Sequence, residues 1–425
     1  MRILHRKASP PHFRVKSERI MITEKKLSYR WVIFSIFVVS HLVISLAGFG
    51  WGPLAPFLKK AMALNSTQIG LISSSFYFAA AISAFPAGIA VDRYGVKKGI
   101  FFWLGFTGIT LFFLSFIKVY IVFLIFSAIA GIGYAAGNPV ASKGLFLWFD
   151  QKTRGTVFGI KQAAITVGAA IAGVLVIYLC ERIGPFSSIR IISLAIILMM
   201  VFAVFFYHNP NEESVIPDTG SPKNVLRILD FRAILNNTPL LLVSLYMAVL
   251  GLAQGVISTF LILYINERLG YSLLAAGSFL SMLMIGAAAG RSLWGIVSDR
   301  LFNGNRKPVL NIISVIAAVS ITILAFWNSV WPGWLLMIVV IITGMSCIGW
   351  NGICLVTVSE ISDSDKTASS IGLASTVGWA GLFIGPIVFG SLTDNFGYFY
   401  AWFFVAVICV LSLILSIYLP MKKSI

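Results

Sequence analysis

Runs of about 20 apolar residues recur from one end of the chain to the other, separated mostly by short polar connections. Each run is long enough to cross ~30 Å of hydrocarbon as a helix rising 1.5 Å per residue. Inside a bilayer every backbone N–H and C=O must be paired within the protein, which leaves only helices or a closed barrel. The strand-like alternation over ~10-residue windows that a barrel requires is missing. The chain therefore reads as an all-α membrane protein. Its composition agrees, because 58% hydrophobic and 11% charged residues over 425 positions expose more apolar surface than a soluble fold can hide.

Twelve spans are predicted, at about 31–57, 69–91, 99–117, 120–145, 156–180, 188–207, 239–265, 273–297, 309–327, 333–358, 368–391 and 398–419. They form an N-terminal half, 31–207, and a C-terminal half, 239–419, joined by a polar linker at 208–238. The linker carries Pro210, Pro217 and Pro222 and a predicted surface helix from Lys223 to Leu235. A basic tail, 1–30, precedes the spans and a short tail, 420–425, follows them. The first tail lacks the apolar centre of a signal peptide. Met21 would be an ordinary start, so the first 20 residues are expected to be disordered or to precede the true start.

The net charge of +17 sits almost entirely in the connections. Taking alternate connections, 23 Lys and Arg lie on the side of the two termini and six on the other. That asymmetry predicts cytoplasmic termini in a cytoplasmic membrane and removes any need to invoke nucleic acid.

The two halves repeat each other. Gly88-Ile-Ala-Val-Asp-Arg-Tyr-Gly-Val-Lys-Lys98 ends one span, and Gly295-Ile-Val-Ser-Asp-Arg300, followed by Gly304, Arg306 and Lys307, ends another 207 residues later. At the same offset Gly48 matches Gly255 and Gly70 matches Gly277. Further on the offset becomes 213, where Gly131 matches Gly344, Asn138 matches Asn351 and Gly159 matches Gly372. A duplicated six-helix unit is a common basis of membrane transporters, with the binding site at the midplane between the repeats.

Ionisable side chains inside spans are costly and by default functional. Arg291 lies about 12 Å along its helix from Asp299. Its guanidinium either binds an anion through two parallel bonds or snorkels to the headgroups. Lys161 is open to the same two readings, and Lys143, near a span end, reads as a snorkelling residue. His41 is the one deep group that titrates near neutral pH; it is either a proton-coupling candidate or a hydrogen-bonded packing residue. Gly48, Gly50, Gly52, Pro53 and Pro56 predict a broken first helix lining a cavity. Trp51, Tyr77, Tyr134, Asn138, Gln162, Gln254, Trp350, Asn351 and Trp379 are candidate cavity walls, since polar atoms within lipid need partners. Cys180, Cys347, Cys354 and Cys409 have no CxxC spacing and no nearby His, so neither a disulfide nor a metal is expected. The sequence also shows no nucleophile–base set and no phosphate loop. No enzyme activity and no cofactor are expected.

The loop G-x-x-x-D-R-x-G-x-K-K after the second span resembles the signature of the major facilitator superfamily, and twelve spans in two halves extend that resemblance over the whole chain. It implies the major facilitator fold and alternating access by rocking of the halves. It further implies gating pairs of Asp92 with Arg93 and Lys97, and of Asp299 with Arg300 and Arg306. The stretch Gly290–Arg300 is similar to the eighth helix of oxalate/formate, monocarboxylate and nitrate/nitrite carriers, in which the matching Arg holds the substrate. The nitrate branch's second Arg falls on Ala84, so a monocarboxylate or related acid fits better. Gly137–Lys143 with Arg154–Gln162 resembles a branch near the cyanate and nitrate carriers. Lys161 is a candidate N-half counterpart of Arg291, which would form a cationic pair across the central cavity. Gly372, Gly381, Gly385 and Pro386 have the spacing of drug antiporters, but in the wrong half.

The expectation is a monomeric secondary transporter in lipid, working as symporter or exchanger on a small organic anion, with a proton or counter-anion as coupled solute. The alternatives are a drug or metabolite efflux antiporter and a transporter-like membrane sensor.

Overall fold

A computed structural model describes residues 11–209, 237–328, 330–362 and 367–420. It contains twelve helices long and apolar enough to span a membrane. These are α1 (Tyr29–Ala61), α2 (Ser66–Tyr94), α3 (Val96–Leu114), α4 (Tyr120–Trp148), α5 (Thr156–Ile183), α6 (Pro185–Phe206), α7 (Thr238–Arg268), α8 (Leu273–Leu301), α9 (Arg306–Ala325), α10 (Gly333–Ile361), α11 (Ser370–Phe396) and α12 (Tyr398–Ile417). Helix already begins at Pro11 ahead of α1, within the expected tail. The linker helix expected at 223–235 lies outside the described residues.

Several spans run past their apolar runs because capping, not hydropathy, sets where a helix ends. Asn65 and Gln68 form a reciprocal capping box ahead of α2. Asn237, Ser272 and Asn305 each cap the helix that follows. Gly184 and Gly397, equivalent at the 213 offset, turn α5 into α6 and α11 into α12 at φ +80° and +84°. Backbone of that kind suits glycine, which has no Cβ to clash.

Close packing repeats with the sequence. A Cβ on Gly131 would strike the carbonyl of Phe76, and one on Gly344 would strike that of Leu283. The α4–α2 and α10–α8 contacts are therefore copies of one another. Between the halves, α2 packs along α11, α5 along α8, and α1 against α7.

Three spans are broken. α1 breaks at Phe49–Gly50, where the Gly- and Pro-rich sequence predicts it. α4 and α10 break at Ala135–Ala136 and Ile348–Trp350, positions related by the 213 offset. These two breaks carry no proline at the break itself and were not expected.

Candidate functional site

The seam between the halves is clamped at one end and open at the other. Toward the face opposite the termini, a Cβ on Gly70 would strike the Pro386 carbonyl, and one on Gly277 the Gly173 carbonyl. Gly390 meets Ser66 and Gly52 meets Ser258 in the same way. Gly88 and Gly295 lie 18 residues further along α2 and α8, five turns on, and so present the same helical face. There a Cβ would meet nothing within 4 Å among the described residues, and the same holds at Gly159 on α5 and Gly372 on α11. The seam is thus packed closely toward the face opposite the termini and loosely toward the face that carries them.

The closed end is locked across the seam. Lys59 of α1 pairs with Glu267 of α7 at 2.9 Å, and the Tyr398 hydroxyl donates to the same carboxylate at 2.8 Å. The Asp394 carboxylate accepts from the backbone N–H of Ser66 at 2.9 Å and of Thr67 at 2.7 Å, and from the Thr67 hydroxyl. A residue of α11 therefore caps α2 in the other half, where free N–H groups and the helix dipole favour an anion. None of Lys59, Glu267 or Asp394 is among the expected site residues. They stand at span ends, and only the assembled bundle brings them together.

At the open face the expected pairs are partly replaced. Asp92 bonds Lys143 of α4 at 3.0 Å, not Arg93 or Lys97. Lys143 also donates to the Val91 and Asp92 carbonyls, and a cation is favoured at a helix C-terminus. Arg93 lies over the Tyr94 ring instead, and Lys97 is exposed. In the second half Arg306 bonds Asp299 as expected and adds Glu360 of α10 at 2.8 Å, while Arg300 is exposed. Both sets stay within one half, as an open seam requires.

Arg291 stands at the seam. Its Nη1 donates to the Thr166 hydroxyl of α5 at 2.9 Å, and its Nε is buried with no partner. Tyr134 lies near enough to interact with it electrostatically. Among the described residues no ion pair includes Arg291 or Lys161. Among the described residues Thr166 is thus the one hydrogen-bond partner of the guanidinium.

Lys161 is 3% exposed and donates to Asn138 Oδ1 at 3.0 Å. It turns to a residue of the same half, and its partner Asn138 is exposed. His41 is equally buried, bonded through Nδ1 to the Phe37 carbonyl at 2.9 Å and packed against Trp103 with ring centroids 4.7 Å apart.

The expected wall residues divide. Asn351 reaches Gln254 at 3.4 Å, and Gln162 is exposed while Tyr134 and Trp379 are half-buried. Tyr77 and Trp51 are buried. The Tyr77 hydroxyl donates to the Gly48 carbonyl at 2.6 Å, a carbonyl freed by the break in α1. Trp51 packs on Phe76 with centroids 5.5 Å apart. Trp350 is buried too and donates to the Cys347 carbonyl at the α10 break. Sequence reasoning missed Thr166, whose only signal is its place on the α5 face that meets α8.

A model of the Major Facilitator Superfamily matches residues 37–386. A Bacillus subtilis protein described as a probable galactarate/D-glucarate transporter is 24% identical over 418 residues, covering 88% of each chain. The membrane sensor protein UhpC of Escherichia coli is 21% identical over 376 residues, covering 85% of each. Among solved structures, a bacterial homologue of the human lysosomal transporter Spinster, inward-facing and unoccupied, superposes with a TM-score of 0.78 at 15% identity, covering 91% of this chain and 96% of that one.

Proposed function

This chain belongs to the major facilitator superfamily, and from that premise we propose that it is a secondary transporter carrying a small organic anion by alternating access, with Arg291 as the anchoring cation. The observation that carries the reading is a guanidinium at the seam with one protein acceptor and no carboxylate partner among the described residues. Such a cation is costly in a membrane interior unless an anion arrives to pair with it. A group that touches both halves can also feel their movement.

The spans α4, α5, α7 and α10 carry further hydrogen-bonding side chains, with Asn138 and Gln162 exposed and Gln254 and Asn351 half-buried. They suit a hydroxylated acid better than a bare monocarboxylate. The relative described as a probable galactarate/D-glucarate transporter supports a sugar acid as the cargo class. Orientation with cytoplasmic termini in the cytoplasmic membrane rests on the 23-to-six distribution of Lys and Arg, and makes the described state inward-open. Asp92, Asp299 and Arg306 with their partners brace each half from within in this state and are the groups that exchange partners as the face closes. The protein works as a monomer, with a proton or a counter-anion as the coupled solute; His41 is the candidate for carrying a proton.

Uptake of radiolabelled galactarate, gluconate and a simple monocarboxylate into proteoliposomes tests this. The account expects saturable uptake of at least one sugar acid that Arg291→Ala abolishes. Uptake that survives the substitution contradicts it. The similarity to a membrane sensor keeps one second reading, in which the ligand is bound and not moved; binding without flux identifies that case.

A further inference from the structure

Tyr134 ends the first segment of α4, directly before the break at Ala135–Ala136. Its ring is held by both α1 and α2. Gly131, three residues earlier, packs on the Phe76 carbonyl of α2, and the Phe76 and Tyr134 ring centroids are 5.1 Å apart. On the other side a Cβ on Gly48 of α1 would lie 2.7 Å from Tyr134 Oη, so only glycine leaves room for the phenol there. Gly48 itself precedes the break in α1. Two broken helices therefore meet at this ring, and broken helices are where transporters commonly build a binding site.

The Tyr134 hydroxyl is nonetheless unused. It has no hydrogen-bond partner among the described residues, and it is not among the unpartnered atoms that are closed off from water. The neighbouring Tyr77 hydroxyl, by contrast, is engaged with the Gly48 carbonyl at 2.6 Å. Tyr134 lies close enough to Arg291 for the two to interact electrostatically. Of the guanidinium nitrogens, Nη1 holds Thr166 and Nε is buried, while Nη2 also lacks a partner among the described residues and stays accessible. An accessible donor from the C-terminal half thus stands close to an accessible hydroxyl from the N-terminal half, and the protein pairs neither.

From this juxtaposition we infer that Tyr134 reads a hydroxyl on the carbon next to the carboxylate that Arg291 holds, so that the cargo is a 2-hydroxy acid. The inference rests on the reading of Arg291 as the anchoring cation. A phenol both donates and accepts, and one already fixed by its packing gives up little freedom when it pairs. An acid without that hydroxyl leaves the phenol facing an apolar carbon, which is how a polar site rejects a deoxy analogue.

The test is a thermal-shift titration of the purified full chain with two matched pairs of acids, gluconate against 2-deoxygluconate and galactarate against adipate. Wild type should prefer the hydroxylated member of at least one pair. Tyr134→Phe keeps the ring and its packing and removes only the hydroxyl. It should weaken that member about three- to tenfold and leave the other unchanged, so the preference narrows. A purely structural role would move both members alike. Arg291→Ala should abolish binding of both. A preference in Tyr134→Phe equal to that of wild type, or an equal loss for both members, overturns the inference; if Arg291→Ala still abolishes binding, the anion reading stands. Undiminished binding in Arg291→Ala, or no binding of any of these acids by wild type, overturns both.

Discussion

Arg291 of α8 and Thr166 of α5 are joined across the seam by a 2.9 Å hydrogen bond. That bond ties the deepest cation of the C-terminal half to the N-terminal half without neutralising it. Thr166→Val should therefore change ligand affinity modestly, since a neutral hydrogen bond contributes about 0.5–1.5 kcal/mol net. Arg291→Lys should lose much more, because a lysine keeps the charge but cannot reproduce the planar fork. Ligand titrations of the two variants check the order of these effects.

The glycine pairs of the seam predict two opposite traps. Leucine at Gly70 or Gly277 would collide with the Pro386 or Gly173 backbone and should hold the protein open on the face opposite the termini. Leucine at Gly88 or Gly295 enters open space in the described state and should hold it open on the terminal face. Distances between spin labels placed on each face, measured in all four variants, check this. Equal distributions in the two pairs would contradict it.

The cross-seam cap on α2 should be part of the lock. Asp394→Asn removes a carboxylate that accepts from Ser66 and Thr67. Bonds to a charged group contribute ~1.5–3 kcal/mol, less at a partly exposed site. The closed-to-open ratio at that end should fall by about tenfold, read as faster alkylation of a cysteine placed in the outer seam.

Lys161 should separate function from folding. Its ammonium is buried with one hydrogen-bond partner, Asn138. Replacing a buried charge by an apolar chain of similar length is often neutral or stabilising. Lys161→Met should leave the melting temperature unchanged or raised, while transport falls if Lys161 acts on the cargo through Asn138. Unchanged transport would make Lys161 a packing residue.

Hydropathy and the 207- and 213-residue offsets made the twelve spans and the two halves legible, because lipid forces helices and duplication leaves matched glycines. Arg291 was legible for a related reason: it breaks the repeat at Ala84 in a place where charge is costly. The closed-end lock was not legible. Lys59 and Glu267 are 208 residues apart, and a residue at a span end carries no sign of what will face it. Asp92 was assigned its nearest cations in sequence, yet Lys143, 51 residues away, reaches it because α4 packs beside α2. Lys161 shows the converse. Its position in the span marked it as unusual, but the direction of its side chain, into the N-terminal half, depends on rotation about α5.

The central claim, that Arg291 anchors an anion, is tested most directly by thermal shift with a sugar acid such as galactarate on wild type and Arg291→Ala. A ligand that binds only the folded state must raise the melting temperature. The account predicts a concentration-dependent rise in wild type that disappears in Arg291→Ala, with the ligand-free melting temperature little changed. An equal rise in both proteins would contradict it.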